Sequence, residues 1–192
     1  MEKKEITRRI PVSEPLLGGN EEKYVLECLR SSWISSLGKF IPQFEEGFAK
    51  FCGAKYGVGV MNGTTALQLA LSALGIKNGD EVIMPDLTFV ATANAVMHVG
   101  AKPVFVDAEA STWNIDTEKI SAAITKKTKA VIPVHLYGHP CNMDAVMKVA
   151  KEHGLIVIED AAEAHGAEYK GKKVGSFGNV GCFSFYGNKI IT

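Results

Sequence analysis

The sequence has no excess of charge of either sign: 21 Lys and Arg stand against 21 Asp and Glu. That balance gives no support to a nucleic-acid partner or an anionic membrane partner. No apolar run approaches the length of a membrane span. The opening MEKKEITRRIPVSEP carries charges with no apolar stretch behind them, so it lacks the pattern of a secretion signal. Cysteine is sparse. Cys28, Cys52, Cys141 and Cys182 are scattered, with no CxxC and no His at metal spacing, which leaves neither a zinc site nor a disulfide framework. Free thiols in a reducing compartment follow, and the expected setting is cytoplasmic. Internal repeats and low-complexity linkers are absent too.

What is present is alternation. Short Val- and Ile-rich runs interleave with helical patterns, the signature of an α/β domain with a mainly parallel sheet. Two prolines and Gly18-Gly19 make residues 1–19 an extended arm. Helices are expected over 20–31, capped by Asn20 and with Tyr24, Cys28 and Leu29 on one face, and over 42–52, with Phe44, Phe48 and Phe51 at helical spacing. Further helices are expected over 64–74, 89–98, 116–124 (capped by Asp116) and 143–153 (closed by Gly154). Strands are expected over 57–61, 81–84, 103–106, 130–134 and 155–159, followed by glycine-punctuated β structure over 173–186. Open α/β sheets bind ligands at the carboxyl ends of their strands, so those ends are where chemistry is sought.

Four loci fall there. Asn62-Gly63-Thr64-Thr65 sits between a strand pattern and a helix start, where free N–H groups and the helix dipole attract a phosphate; the plainer alternative is that the threonines only cap the helix. The same region holds a near-dinucleotide fingerprint, Gly57-x-Gly59-x-x-x-Gly63 with Asp86 downstream, but its last glycine is one residue late. Asp160 follows the buried-type run LIVIE, and a carboxylate there can hold a pyridine nitrogen protonated, or merely cap a turn. Glu163, three residues on, is placed to reach the same ligand. His165 nearby reads as structural. Lys189 lies in CFSFYGNK ahead of two isoleucines; partial desolvation makes such an amine nucleophilic toward an aldehyde, whereas a lone lysine is ordinarily just an exposed charge. A phosphate cradle, a strand-end acid and a semi-buried lysine together fit pyridoxal 5'-phosphate (PLP) better than a nicotinamide.

At these residues the sequence resembles the DegT/DnrJ/StrS family of PLP-dependent sugar aminotransferases. The resemblance runs from about residue 10 through NGTTALQLAL, GDEVIMPDLTFVATANAV and VHLYGHPCNMD. It continues through IEDAAEAHGAEYKGKKVGSFG to SFYGNKIIT. It implies the fold-type-I, aspartate aminotransferase-like architecture, with 20–192 as an incomplete PLP-binding large domain and a small C-terminal domain outside the chain. Lys189 is then the lysine that joins the cofactor aldehyde and later shuttles the substrate proton. Asp160 pairs with the ring nitrogen and Phe89 stacks on the ring. Gly63, Thr64, Thr65 and Ser184 cradle the phosphate, and Glu163 approaches the phenolic oxygen. Glu at that position resembles the members that aminate C4 of GDP-4-keto-6-deoxymannose with glutamate as donor. A lysine rather than a histidine at position 189 speaks against the subgroup that deoxygenates sugars. The implied partners are a nucleotide sugar and glutamate, in a homodimer with shared active sites.

Overall fold

The computed structural model describes residues 10–192. Among the described residues six α-helices, α1 (Glu21–Ser31), α2 (Phe40–Cys52), α3 (Gly63–Ala73), α4 (Ala91–His98), α5 (Thr117–Ala123) and α6 (Met143–His153), interleave with strands β1 (Glu81–Pro85), β2 (Lys102–Val106), β3 (Thr128–Val131), β4 (Ile156–Asp160) and β7 (Val180–Cys182). These five strands form one sheet in the order β2-β1-β3-β4-β7, and every pairing in it is parallel. A separate two-stranded hairpin joins β5 (Glu168–Tyr169) to β6 (Lys172–Lys173).

Side chains alternate across a strand, and the core divides accordingly. On one face Val82, Met84, Ile132, Ile158 and Cys182 pack against Leu67, Ala70 and Leu71 of α3 and Ala95 and Val96 of α4. On the other, Ile83, Val131 and Val157 pack against Ile120 of α5 and Met143, Val146 and Ala150 of α6. Strands covered on both faces read as continuous apolar runs, which is why β1 and β4 were legible. The helix starts follow capping chemistry. Asn62 Oδ1 accepts the Thr65 N–H at 2.9 Å, Asn142 Oδ1 the Ala145 N–H at 3.2 Å, and Asp116 Oδ1 the Glu118 N–H at 3.1 Å. No helix among the described residues is long and apolar enough to cross a membrane.

Several expected elements differ. Residues 57–61 form no strand. The segment lies against α2 instead: the Gly59 N–H reaches Glu45 Oε1 at 2.7 Å, and a Cβ at Gly57 would come within 2.4 Å of the Glu45 carbonyl oxygen. Gly57 permits close backbone approach rather than a ladder, and the near-dinucleotide fingerprint thereby loses its strand. The sheet pairing of the 130–134 run ends at Val131, because Pro133 has no N–H to contribute; Val134 keeps a single bridge to Asp160. In the 173–186 stretch only Val180–Cys182 joins the main sheet and Lys173 the hairpin. Asn20 occupies the N-cap of α1 without a side-chain cap bond, and that helix buries none of its residues. Within the expected arm, residues 10–19 carry no helix or strand; residues 1–9 lie outside the described residues.

Candidate active site

β4 ends in two neighbouring acids that point to opposite faces of the sheet. Glu159 is fully buried. Its carboxylate accepts the N–H groups of Gly175, Phe177 and Gly178 at 2.7–2.8 Å and lies 3.1 Å from His135 Nε2. His135 Nδ1 accepts the Cys141 N–H at 3.1 Å, so the ring proton sits on Nε2 and is donated to Glu159. Burial opposes ionisation here, but the His135 and backbone hydrogen bonds outweigh it and hold the Glu159 carboxyl below the ordinary glutamate range. This explains the scarcity of β structure over 173–186: three backbone donors go to one carboxylate instead of a neighbouring strand. Glu159→Gln would turn an amide N–H toward those donors, and we expect a loss of about 1–3 kcal/mol in unfolding free energy, read by denaturant titration. Because the folded-state pKa is depressed, this contribution is present above the unfolded glutamate pKa and lost as pH falls through the folded value.

Asp160 faces the other way and is only 6% exposed. Its Oδ2 accepts the Thr92 hydroxyl at 2.8 Å and its Oδ1 the Ala162 N–H at 3.2 Å. Burial pushes its carboxyl up from the ordinary aspartate range, against the Thr92 and Ala162 hydrogen bonds and the Lys189 charge. A carboxylate can accept about four hydrogen bonds, and this one accepts two from the described residues. It retains capacity for a ring N–H.

The turn after β4 brings Glu163 round to Lys189. Lys189 Nζ lies 3.2 Å from Glu163 Oε1, and the other Glu163 oxygen accepts the Tyr137 N–H at 3.0 Å. The Lys189 side chain is 16% exposed, so the semi-buried amine expected from its apolar neighbours is present. The same Nζ stands 5.7 Å from the centroid of the Phe89 ring, which is itself exposed. Phe89 connects back to the acid through Thr92, whose hydroxyl also lies 3.2 Å from the Phe89 carbonyl oxygen. Asp160, Glu163, Lys189 and Phe89 therefore form one contiguous group.

The phosphate candidates gather beside it. Ser184 follows β7, whose Cys182 pairs with Asp160 in the sheet. A Cβ at Gly63 would approach the Ser184 Cβ to 2.9 Å, so glycine is what allows the α3 start and Ser184 to meet. The first N–H groups of α3, those of Gly63 and Thr64, have no acceptor among the described residues, as helix starts leave them. Thr65 is partly committed elsewhere: its hydroxyl donates to Asn62 Oδ1 at 2.7 Å. The helix cap is thus Asn62, and the Thr64 hydroxyl has no such commitment. Oriented N–H groups, a buried acid with spare acceptor capacity and a nearby amine fit the phosphate, ring nitrogen and aldehyde of PLP.

Sequence reasoning missed Thr92, Glu159 and His135. The signal for Thr92 was its place three residues after Phe89, on the inner side of a helix; for Glu159, the fact that two successive acids on a buried strand cannot share a face. His165, read as structural, packs among Phe48, Phe183 and Phe185 with ring centroids 4.9–6.2 Å away, and burial lowers its pKa.

The chain as a whole is similar to known proteins. A family profile described as the DegT/DnrJ/EryC1/StrS aminotransferase family matches residues 15–192. A GDP-perosamine synthase of Caulobacter vibrioides is 58% identical over 184 residues, 96% of this chain and 50% of that protein. A GDP-perosamine synthase of Escherichia coli O157:H7 is 54% identical over 183 residues, 95% of this chain and 50% of that protein. Among solved structures, the PLP form of a candidate sugar aminotransferase from Streptococcus pneumoniae superposes with a TM-score of 0.92 at 34% identity, over 96% of this chain and 51% of that one. The chain spans about half the length of the relatives it matches.

Proposed function

The chain belongs to the DegT/DnrJ/EryC1/StrS aminotransferase family, with its fold-type-I architecture, and from that premise we propose that it is the PLP-binding half of an enzyme that moves an amino group from glutamate to a keto-sugar nucleotide. GDP-4-keto-6-deoxymannose is the proposed acceptor and GDP-perosamine the product. The observation that carries this reading is the convergence of a buried acid, Asp160, and a largely buried amine, Lys189, on one cluster at the carboxyl ends of β4 and β7. The two GDP-perosamine synthases at 58% and 54% identity support the choice of GDP.

The family's cofactor is PLP, which when bound supplies an aldehyde that captures amines and a ring that draws electron density from the substrate carbon. The protein's part is placement and proton handling. Asp160, in a dry setting, holds the proton on the ring nitrogen. Phe89 would pack against the cofactor ring. The N–H groups of Gly63 and Thr64 and the hydroxyls of Thr64, Thr65 and Ser184 hold the phosphate. Lys189, once its amine is free, would carry the proton between the substrate carbon and the cofactor's aldehyde carbon, and Glu163 would keep that amine aimed. We assign residues 20–192 to the PLP-binding domain of a homodimer.

The test is a panel assay. The full-length protein, glutamate and keto-sugars carried on GDP, dTDP and UDP are incubated and products weighed by mass spectrometry. Fastest conversion of GDP-4-keto-6-deoxymannose is expected; turnover confined to dTDP or UDP sugars overturns the nucleotide assignment, and turnover of none overturns the activity. A nicotinamide-dependent reading has little left to stand on, since its glycine pattern does not follow a strand.

A further inference from the structure

Thr92 is completely buried, one turn into the segment that begins with Phe89, and its hydroxyl touches three groups. Oγ1 lies 2.8 Å from Asp160 Oδ2, 3.2 Å from the Phe89 carbonyl oxygen and 2.9 Å from the Thr88 hydroxyl. It has one proton to give, so these contacts cannot all be donations. With Asp160 ionised, Thr92 donates to the carboxylate and Thr88 donates to Thr92. With Asp160 protonated, the acid donates to Thr92, which is then free to donate to the Phe89 carbonyl. Both arrangements satisfy every group without moving a heavy atom.

We propose that Thr92 is a positioning residue, whose reversible hydroxyl lets Asp160 be neutral without cofactor and an oriented anion with it, while tying that acid to the turn carrying Phe89. The inference rests on the PLP reading above. An isolated carboxylate away from water is costly, and a fixed donor alone would leave the neutral acid poorly matched. A hydroxyl serves both forms. Burial raises the Asp160 pKa, which makes the neutral form accessible, and the other titratable groups acting on it are His135 and Lys189. Valine has the same shape as threonine and no hydroxyl; serine has the hydroxyl without the methyl.

The experiment uses full-length Thr92→Val and Thr92→Ser, titrated with PLP and followed through the pH dependence of the bound cofactor's absorbance. A hydrogen bond to a charged group predicts that Thr92→Val weakens PLP binding by about 10- to 100-fold. The absorbance midpoint should move upward by on the order of 1 pH unit, because a ring nitrogen held less firmly as a cation withdraws less charge from the far end of the ring. Thr92→Ser should restore binding to within about 3-fold. Unchanged binding and midpoint in Thr92→Val overturn the proposal, as does a Thr92→Ser variant impaired as badly as Thr92→Val, which would mark packing as the cause. Should Thr92→Val not fold, Thr92→Ala against Thr92→Ser gives the same comparison. Failure of the unsubstituted protein to bind PLP would instead strike at the function proposed above, so the two failures are distinguishable.

Discussion

Lys189→Ala, made in the full-length protein, is expected to lower amine transfer from glutamate by on the order of 10³-fold or more, since a positioned proton-transfer group alone contributes about 10²–10⁴-fold. Borohydride treatment of the PLP-loaded protein should leave the cofactor's mass on the peptide containing Lys189, and on no peptide of the variant. The fold should hardly notice. Lys189 pairs with a Glu163 carboxylate that is 27% exposed and keeps its Tyr137 N–H partner. The pair is part-buried at 16% and 27% exposure, and with that backbone partner retained its loss should cost on the order of 1 kcal/mol. A variant that folds as before yet turns over as before would refute the assignment of Lys189.

Asp160→Asn should act with opposite sign on the two forms of the protein. With PLP, the substitution removes the buried partner of the ring nitrogen; breaking a buried charge pair costs about 3–5 kcal/mol, so binding should weaken by roughly 10²- to 10⁴-fold. Without PLP, it removes an acid that burial makes reluctant to ionise. The folded-state pKa is raised, so the stability Asp160 contributes is full below the unfolded aspartate pKa and lost as pH rises through the folded value. Asparagine has no such dependence. The melting temperature of cofactor-free protein should therefore fall relative to Asp160→Asn as pH climbs through the carboxylate range. A constant difference across that range would show that Asp160 does not titrate as its burial requires.

Asp160 and Lys189 could be picked out as candidates because each stands where local composition changes abruptly: an acid after LIVIE, an amine inside an aromatic and apolar run. Glu163 was legible by spacing from Asp160, although a turn rather than a helix presents it. Gly63 and Ser184 could be named as phosphate candidates, but their contact depends on β4–β7 pairing, which links residues far apart in the chain. Gly57 and Gly59 misled because a glycine-rich apolar alternation looks the same whether it joins a sheet or lies against a helix, and the deciding partner, Glu45, precedes it on α2. Glu159 was hidden for a related reason: the donors that stabilise it lie 16–19 residues later, in a stretch whose glycines read as β punctuation.

The two acids closing β4 also check the alignment of the strand itself. Sliding β4 by a single residue along its neighbours would exchange the faces on which 159 and 160 emerge. Aspartate, one methylene shorter, would then have to span the distance to three loop amides and an imidazole, while the longer glutamate would be driven into the space beside Thr92. Both misplacements strand charge away from water, so a misthreaded sheet is penalised twice at its most buried end. Aliphatic neighbours such as Ile156, Val157 and Ile158 could exchange places at far smaller cost, and it is the acid pair that makes the correct threading unique.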